Sequence, residues 1–285
     1  MTGEGVEYEA DQRHAELMVR EMGVQLNSKG VVTPGTQDPA EDGKEHEVDQ
    51  RVLRGVAARG NYLGQDRVDM QYAAKEISRF VSKPESKDWR AAKRLARYLK
   101  DESRLVIKYP YQELSDTIDV WIDTDFAGCK VTRRSTSGGV IMIGDHCVKT
   151  YSKTQESIAL SSGESEFYGI VQAACHGLEV KGVYEDLGIP MKIRICTDSS
   201  AAKSIASRRG VGKVRHIDVR ELWVQERTQR GDIEIVKVRG EDNLADILTK
   251  HVPRYLLDKH LRGIGCERRS GRHILCPATV DQEKY

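Results

Sequence analysis

Apolar positions recur at helical spacing in the first third of the chain. Residues 12–24 make one candidate helix, and residues 51–60, 70–81 and 88–98 make three more. In the last of these Asp88 stands where an N-cap would, with Ala92, Leu95 and Leu99 on one face and Arg90, Lys93, Arg94 and Arg97 elsewhere. Between the first and second helices, residues 27–50 carry Gly, Pro and acids without periodicity and read as a loop or linker. From about residue 105 the texture shortens. Residues 105–109, 119–124, 138–143 and 147–152 have the composition of short strands separated by Gly, Asp and Ser. Residues 164–187 then form one long amphipathic helix. A β-branched strand at 192–198, a helix at 199–206, a charged helix at 216–230, a strand at 232–238 and a helix starting near Asn243 follow. Three strands joined by tight connections, then alternating helices and strands, predict an α/β fold: a mixed sheet flanked by helices, preceded by a small mainly helical segment.

Composition narrows this picture. The 285 residues leave room for about two domains, and 39% hydrophobic content is enough for a core, which excludes a wholly disordered chain. No run of about 18 apolar residues is present, so no membrane span is expected. The first residues lack the basic and apolar regions of a secretory signal, so a cytoplasmic or nuclear location is expected. Six cysteines without C-x-x-C pairs read as reduced thiols rather than a disulfide framework, and Cys266, His273 and Cys276 are too irregularly spaced for a zinc site. A net charge of +1 argues against a nucleic-acid partner until it is resolved along the chain. Residues 1–50 hold twelve acids against four bases, whereas residues 51–100 hold thirteen bases against five acids. The near-neutral total is a cancellation, and it does not exclude nucleic acid.

The acids carry the candidate chemistry. Asp123 ends the apolar run Val120-Trp121-Ile122, and Asp198 ends Ile193 to Thr197 in the same way. Glu164 and Glu166 open the long helix, and Asp242 and Asp246 lie around the start of a late one. Each alone is a turn former or helix cap, and Asp198 before Ser199-Ser200-Ala201 looks especially like one. Converging in one cleft they would repel and desolvate one another unless cations neutralised them, and hard oxygen ligands suit Mg²⁺ or Mn²⁺.

The order strand-Asp, helix-Glu, strand-Asp, helix-Asp resembles that of the ribonuclease H family, and the surrounding words are similar to its copia-type retrotransposon version. They are Asp123-Thr124-Asp125-Phe126-Ala127-Gly128-Cys129 with Arg133-Arg134-Ser135-Thr136-Ser137-Gly138, Ala159-Leu160-Ser161-Ser162-Gly163-Glu164-Ser165-Glu166-Phe167, Lys213-Val214-Arg215-His216-Ile217-Asp218, and Ala245-Asp246-Ile247-Leu248-Thr249-Lys250. Upstream, Tyr62-Leu63-Gly64-Gln65-Asp66-Arg67-Val68-Asp69 and Ser82-Lys83-Pro84 resemble the segment that follows the polymerase palm in the same Pol polyproteins. A palm needs paired aspartates after an aromatic, and none occurs, so no polymerase activity is expected. The chain resembles the C-terminal part of such a polyprotein. The resemblance implies an acidic N-terminal segment with linker (1–50), a thumb- or connection-like remnant (51–104), a ribonuclease H-like domain with a five-stranded sheet (105–255) and a tail (256–285).

The same resemblance implies two-metal hydrolysis of the RNA strand of an RNA–DNA hybrid. One Mg²⁺ or Mn²⁺ ion would lower the pKa of an attacking water, and a second, about 4 Å away, would stabilise the leaving 3′-oxygen. The implied ligands are Asp123, Glu166, Asp198 and Asp246. Asp125 is the fallback for Asp123, since strand alternation puts both on one face. Glu164 reads as a helix N-terminal acid and Asp242 as a cap. Relatives place a His before the last acid; here the loop reads Val238 to Asn243 without one, so either Arg239 supplies the charge or turnover is slow, and His216 reads as structural. Arg133, Arg134, Ser135 and Thr136, together with Arg208, Arg209, Lys213 and Arg239, are the candidate phosphate contacts. Trp89 and the cationic face of 87–100 could extend the grip, although Trp89 reads as a core anchor. Helix Glu before the second strand Asp, and no zinc module, set aside a D-D-E integrase. A decayed or co-opted binding remnant of the polyprotein remains the rival reading, and other parts of a Pol polyprotein are the further expected partners.

Overall fold

The computed structural model describes residues 3–37, 47–210, 212, 217 and 221–277. Lys213 and His216 lie outside the described residues. The chain divides into two compact units, one built from residues up to Lys108 with 250–262 and 266 onward, the other from 109–249 with 263–265.

The first unit packs α1 (Gln12–Glu21), α2 (Gln50–Leu63), α3 (Val68–Ser78) and α4 (Ser86–Asp101) around Met18, Leu53, Val56, Met70, Leu95 and Leu99. Trp89 packs at the edge of this core, as an anchor would. The start of α4 differs from expectation. Glu85 is the N-cap, and Asp88 sits three residues in, its carboxylate accepting from the Glu85 backbone N–H at 2.8 Å in a capping box. The cations of α4 are turned to an internal task. Arg94 donates to Thr33 Oγ1 at 3.0 Å, Arg97 to the Lys29 carbonyl at 2.8 Å and Lys100 to the Ser28 carbonyl at 2.6 Å, so three of them hold down the preceding loop.

The same unit contains a three-stranded sheet, β1 (Gly5–Glu9), β2 (Arg104–Pro110) and β8 (Cys266–Arg269) in the order β1-β2-β8. The strand expected at 105–109 as part of the later sheet is therefore β2 of this one. Arg254 begins α8 (Arg254–Gly263), and the C-terminal stretch expected as a tail supplies both α8 and β8. The expected divisions at residues 50 and 255 accordingly do not coincide with the compact units. Buried in this unit, Arg67 forms a two-pronged pair with Asp69 (2.9 and 2.7 Å) and caps the Glu102 and Ser103 carbonyls at 2.8 and 3.0 Å. Tyr98 donates to Asp69 at 2.7 Å, and Arg268 of β8 donates to the Tyr98 hydroxyl.

The second unit is a mixed five-stranded sheet flanked by helices. Its strands β3 (Thr117–Thr124), β4 (Thr136–Ile143), β5 (His146–Thr154), β6 (Lys192–Thr197) and β7 (Ile233–Lys237) lie in the order β5-β4-β3-β6-β7. The hairpin-linked β3, β4 and β5 run antiparallel, and β6 and β7 join β3 in parallel, as crossover connections require. Helix α5 (Ser162–Asp186) lies against β3, β4 and β6, α6 (Ser200–Ser207) against α5, and α7 (Trp223–Arg230) against α6 and β7. Ile118, Val120, Ile122, Phe167, Ile170, Ile193 and Ile195 form the core. Gly169 and Gly177 let α5 sit close: a Cβ on Gly169 would lie 2.2 Å from Ile122 Cδ1 and 2.6 Å from Thr124 Cγ2. Among the described residues no helix is long and apolar enough to cross a membrane.

Candidate metal centre

Because Ile122 and Thr124 point at α5, strand alternation turns Asp123 to the opposite face of β3, where it is 4% exposed. Glu166 stands in the second turn of α5, and Asp198 follows the last residue of β6. One carboxylate oxygen from each of Asp123, Glu166 and Asp198 lies within 4.8 Å of the others, so three elements distant in sequence deliver three acids to one place. The capping role that Asp198 could have played belongs to its neighbour: Ser199 Oγ accepts from the Ala202 N–H at 3.1 Å and caps α6.

The neighbours of these acids are held differently. β3 ends at Thr124, and Asp125 has left the strand; its carboxylate accepts from the Thr136 N–H and closes the loop to β4. Glu164 is 1% exposed and held locally, accepting from the Leu160 N–H at 2.9 Å and the Tyr168 hydroxyl at 2.8 Å, while Ser161 caps the helix through the Glu164 N–H. Asp242 is not the cap expected of it. Asn243 caps the short 3₁₀ turn Leu244–Leu248, which replaces the α-helix expected near Asn243. Asn243 is itself wholly buried and donates to the Ile122 carbonyl at 2.8 Å, which seats the turn on β3. Asp246 rides on this turn, buried at 7% exposure, and is not one of the three acids whose oxygens converge.

Burial pushes the Glu166 carboxyl up to about 9, and the charges of Asp123 and Asp198 push in the same direction; hydrogen bonding with Thr124 pulls the other way. Its Oε2 is buried without a hydrogen-bond partner. An ordinary surface acid has neither property. Beneath it a polar network fixes the helix start. Ser165 Oγ lies 3.0 Å from Thr124 Oγ1 and 3.1 Å from the Asp125 carbonyl, and Gln155 donates to Ser137 Oγ and to the Ser165 carbonyl, both at 2.9 Å.

The candidate phosphate contacts divide. Arg133 and Arg134 are exposed in the loop between β3 and β4, with Arg133 at φ 57° and Ala127 at φ 53°. A non-glycine residue in that left-handed region costs about 1–2 kcal/mol. The loop is held by the buried Cys129, whose carbonyl accepts from the Arg133 N–H at 2.8 Å. Ser135 and Thr136 are corrected to structural residues. They are at most 1% exposed, and Ser135 Oγ accepts from the Ala127 N–H at 3.0 Å. Arg208 is half-buried after α6, and the exposed Arg209 donates to Gln229 at 2.8 Å. Arg239 is exposed beside Gly240, where a Cβ would lie 3.1 Å from Asp198 Oδ2. Reading the residues alone missed Thr249, whose buried hydroxyl donates to Asp123 Oδ2, and Asn243. Thr249 stood in a quoted motif, but its partner is 126 positions away.

No family model matches the chain. It is 28% identical over 202 residues, 70% of its length, to the retrovirus-related Pol polyprotein from transposon TNT 1-94 of Nicotiana tabacum. It is 27% identical over 222 residues, 76% of its length, to that from transposon RE2 of Arabidopsis thaliana. The match spans 15% of the length of each of these curated relatives. Among solved structures, the N-terminal RNase H domain of Rv2228c from Mycobacterium tuberculosis, fused to maltose binding protein, is similar at 20% identity and a TM-score of 0.34, over 52% of this chain and 98% of that one.

Proposed function

We propose, from the likeness to a part of the retrovirus-related Pol polyproteins of copia-type transposons, that this chain is a ribonuclease H-type endonuclease, hydrolysing the RNA strand of RNA–DNA hybrids. The observation that carries the reading is the convergence of Asp123, Glu166 and Asp198 within 4.8 Å from two strands and a helix. Three acids so close, one of them pushed up to about 9, are stable together only when protonated or neutralised by a cation.

The donor set suits a hard divalent cation, and on this reading it takes two Mg²⁺ or Mn²⁺ ions. It is made of carboxylate oxygens alone, and the buried Glu166 Oε2 has no competing hydrogen bond. Asp123, Glu166 and Asp198 would hold the ions, with Asp246 completing the set. When bound, the ions supply a water of lowered pKa for in-line attack and neutralise charge at the leaving 3′-oxygen. The chain's own residues do the positioning. Thr249 holds Asp123, Ser165 and Gln155 hold the start of α5, and Ser199 relieves Asp198 of capping. Arg133, Arg134, Arg208, Arg209, Lys213 and Arg239 would bind phosphates of the hybrid. Hybrid recognition would then follow groove shape and 2′-hydroxyl contacts rather than base sequence. Residues 51–104 correspond on this reading to a thumb- or connection-like remnant, working inside the cell beside other parts of a Pol polyprotein.

The test is a gel assay of labelled hybrid and duplex DNA with Mg²⁺ or Mn²⁺, using wild type and D198N. Cleavage of the RNA strand by wild type alone is the expected result. Equal cutting by both proteins overturns the reading. Absence of cutting by either with both metals overturns it too, and retained hybrid binding would then mark a co-opted remnant.

A further inference from the structure

The residue that links two of the candidate ligands is Thr249. It has no exposed surface, and its hydroxyl lies within reach of Asp123 Oδ2 and, at 3.2 Å, of the Asp246 carbonyl. A hydroxyl has one proton, and the charged acceptor makes the stronger bond, so it goes to the Asp123 carboxylate. That bond anchors Oδ2 and fixes the rotation of the carboxylate, which sets where Oδ1 points. Through its backbone N–H, 3.3 Å from the Asp246 carbonyl, the same residue closes the turn that carries Asp246. Cγ2 packs over Gly138 of β4, where a Cβ would lie 2.8 Å from it, while the hydroxyl alone makes the bond to Asp123.

We propose that Thr249 is a positioning residue that presets Asp123 and Asp246 for divalent ions, so that the affinity of the centre is set by a hydroxyl that touches no ion. The proposal rests on the ribonuclease reading of this site and assigns the last threonine of the Ala245-Asp246-Ile247-Leu248-Thr249 stretch a role of its own. A hydroxyl acting only in packing would be replaceable by a methyl of the same volume. A hydroxyl that orients a ligand would not.

The experiment is Mn²⁺ binding by titration calorimetry on the full chain without nucleic acid, for wild type, T249V, T249S and D123N, followed by hybrid cleavage at limiting and saturating Mn²⁺. T249V is expected to bind Mn²⁺ about tenfold more weakly or worse, and T249S to stay within about twofold of wild type, as outer partners of metal ligands do. The KM for hybrid should be unchanged in T249V, with kcat lost at limiting Mn²⁺ and recovered in part at saturation. Mn²⁺ binding by T249V equal to wild type overturns the proposal, and so does a T249S defect as large as that of T249V, since packing would then explain both. T249A against T249S makes the same comparison should T249V not fold. If wild type binds no Mn²⁺, or D123N binds as well as wild type, the ribonuclease reading falls and takes the proposal with it. Weaker binding by T249V together with intact binding by T249S supports the proposal even if no hybrid is cut.

Discussion

Gly138 of β4 is the direct cross-strand partner of Asp123 of β3, so the two residues face the same side of the sheet. The segment 248–249 crosses that side so closely that a Cβ on Gly138 would lie 2.7 Å from Leu248 Cβ, 2.8 Å from Thr249 Cγ2 and 3.1 Å from the Leu248 carbonyl carbon. Two of these atoms sit on or next to the backbone and cannot swing aside. Gly138→Ala is therefore expected to destabilise the protein by about 1–3 kcal/mol, the usual cost of overpacking, and to push Thr249 off Asp123. Chemical denaturation measures the first effect. Divalent-ion affinity measures the second, and a variant with wild-type values of both would contradict the close approach.

The raised Glu166 carboxyl makes the metal-free protein pH-sensitive in a definite direction. Its folded value of about 9 lies above the ordinary 4.5, so between those limits the folded state binds the proton and the unfolded state does not. Its contribution is fully present below pH 4.5 and is lost as pH rises through about 9. Glu166→Gln, which needs no proton, should flatten that loss, so its melting temperature should gain on wild type between pH 5 and 9 without metal. A divalent ion competes with the same proton. Calorimetric titration at pH 7 in buffers of different ionisation enthalpy should therefore report close to one proton released per wild-type site, and less for the Gln variant.

What could be read from residues alone was the local part of this design. Val120-Trp121-Ile122-Asp123 and Glu164-Ser165-Glu166-Phe167 carry their periodicity and their acids together, so strand, helix and candidate ligand were legible at once. Asp198 was equally visible, but the residue that caps α6 is Ser199 beside it, and either residue satisfies the capping preference. The turn under Asp246 is five residues of 3₁₀ helix, too short for a periodic signal, and its anchor is an Asn243 side chain bonded to a carbonyl 121 positions away. The strands β1 and β8 were illegible for another reason. Gly5–Glu9 and Cys266–Arg269 are short and charged, and ion pairs such as Arg269 with Glu7 (2.8 Å) and Arg104 with Glu9 (2.8 Å) cross their sheet, so neither strand carries a clear alternation of its own. Ser135 and Thr136 looked like phosphate contacts because hydroxyls beside arginines do so; burial gave them to the loop instead.

The first unit depends on a buried charge in the same way that the candidate centre does, with the opposite resolution. Burial works against the ionised form of Asp69, but the Arg67 guanidinium outweighs it and holds the carboxyl below its ordinary value, with Arg268 and the Tyr98 hydroxyl adding to the effect. Asp69→Ala would strand Arg67 at 1% exposure and leave the Tyr98 hydroxyl without its acceptor. Breaking a buried pair from one side costs about 3–5 kcal/mol. Urea denaturation should show a loss of that size, well beyond the effect of Asp232→Ala, which breaks the partly exposed pair with Arg227. A loss below about 1 kcal/mol, the range of surface ion pairs, would contradict the burial of the network.

The proposed grip on nucleic acid separates from catalysis by its salt dependence. Arg133 and Arg134 are exposed on a loop whose backbone is fixed by Cys129 and by Asp125, so replacing them leaves the loop and the carboxylates in place. A phosphate neutralised by an arginine releases its counterions, so the double variant R133A/R134A should bind hybrid more weakly. The slope of log affinity against log salt should become shallower by about 1 for each phosphate that is no longer neutralised. The KM should rise while kcat at saturating hybrid stays near wild type, because neither arginine is one of the converging acids. Filter binding across a salt series and steady-state cleavage read the two quantities separately. An unchanged slope would remove these arginines from the phosphate-binding set, and a fall in kcat with unchanged KM would move them to the reacting atoms.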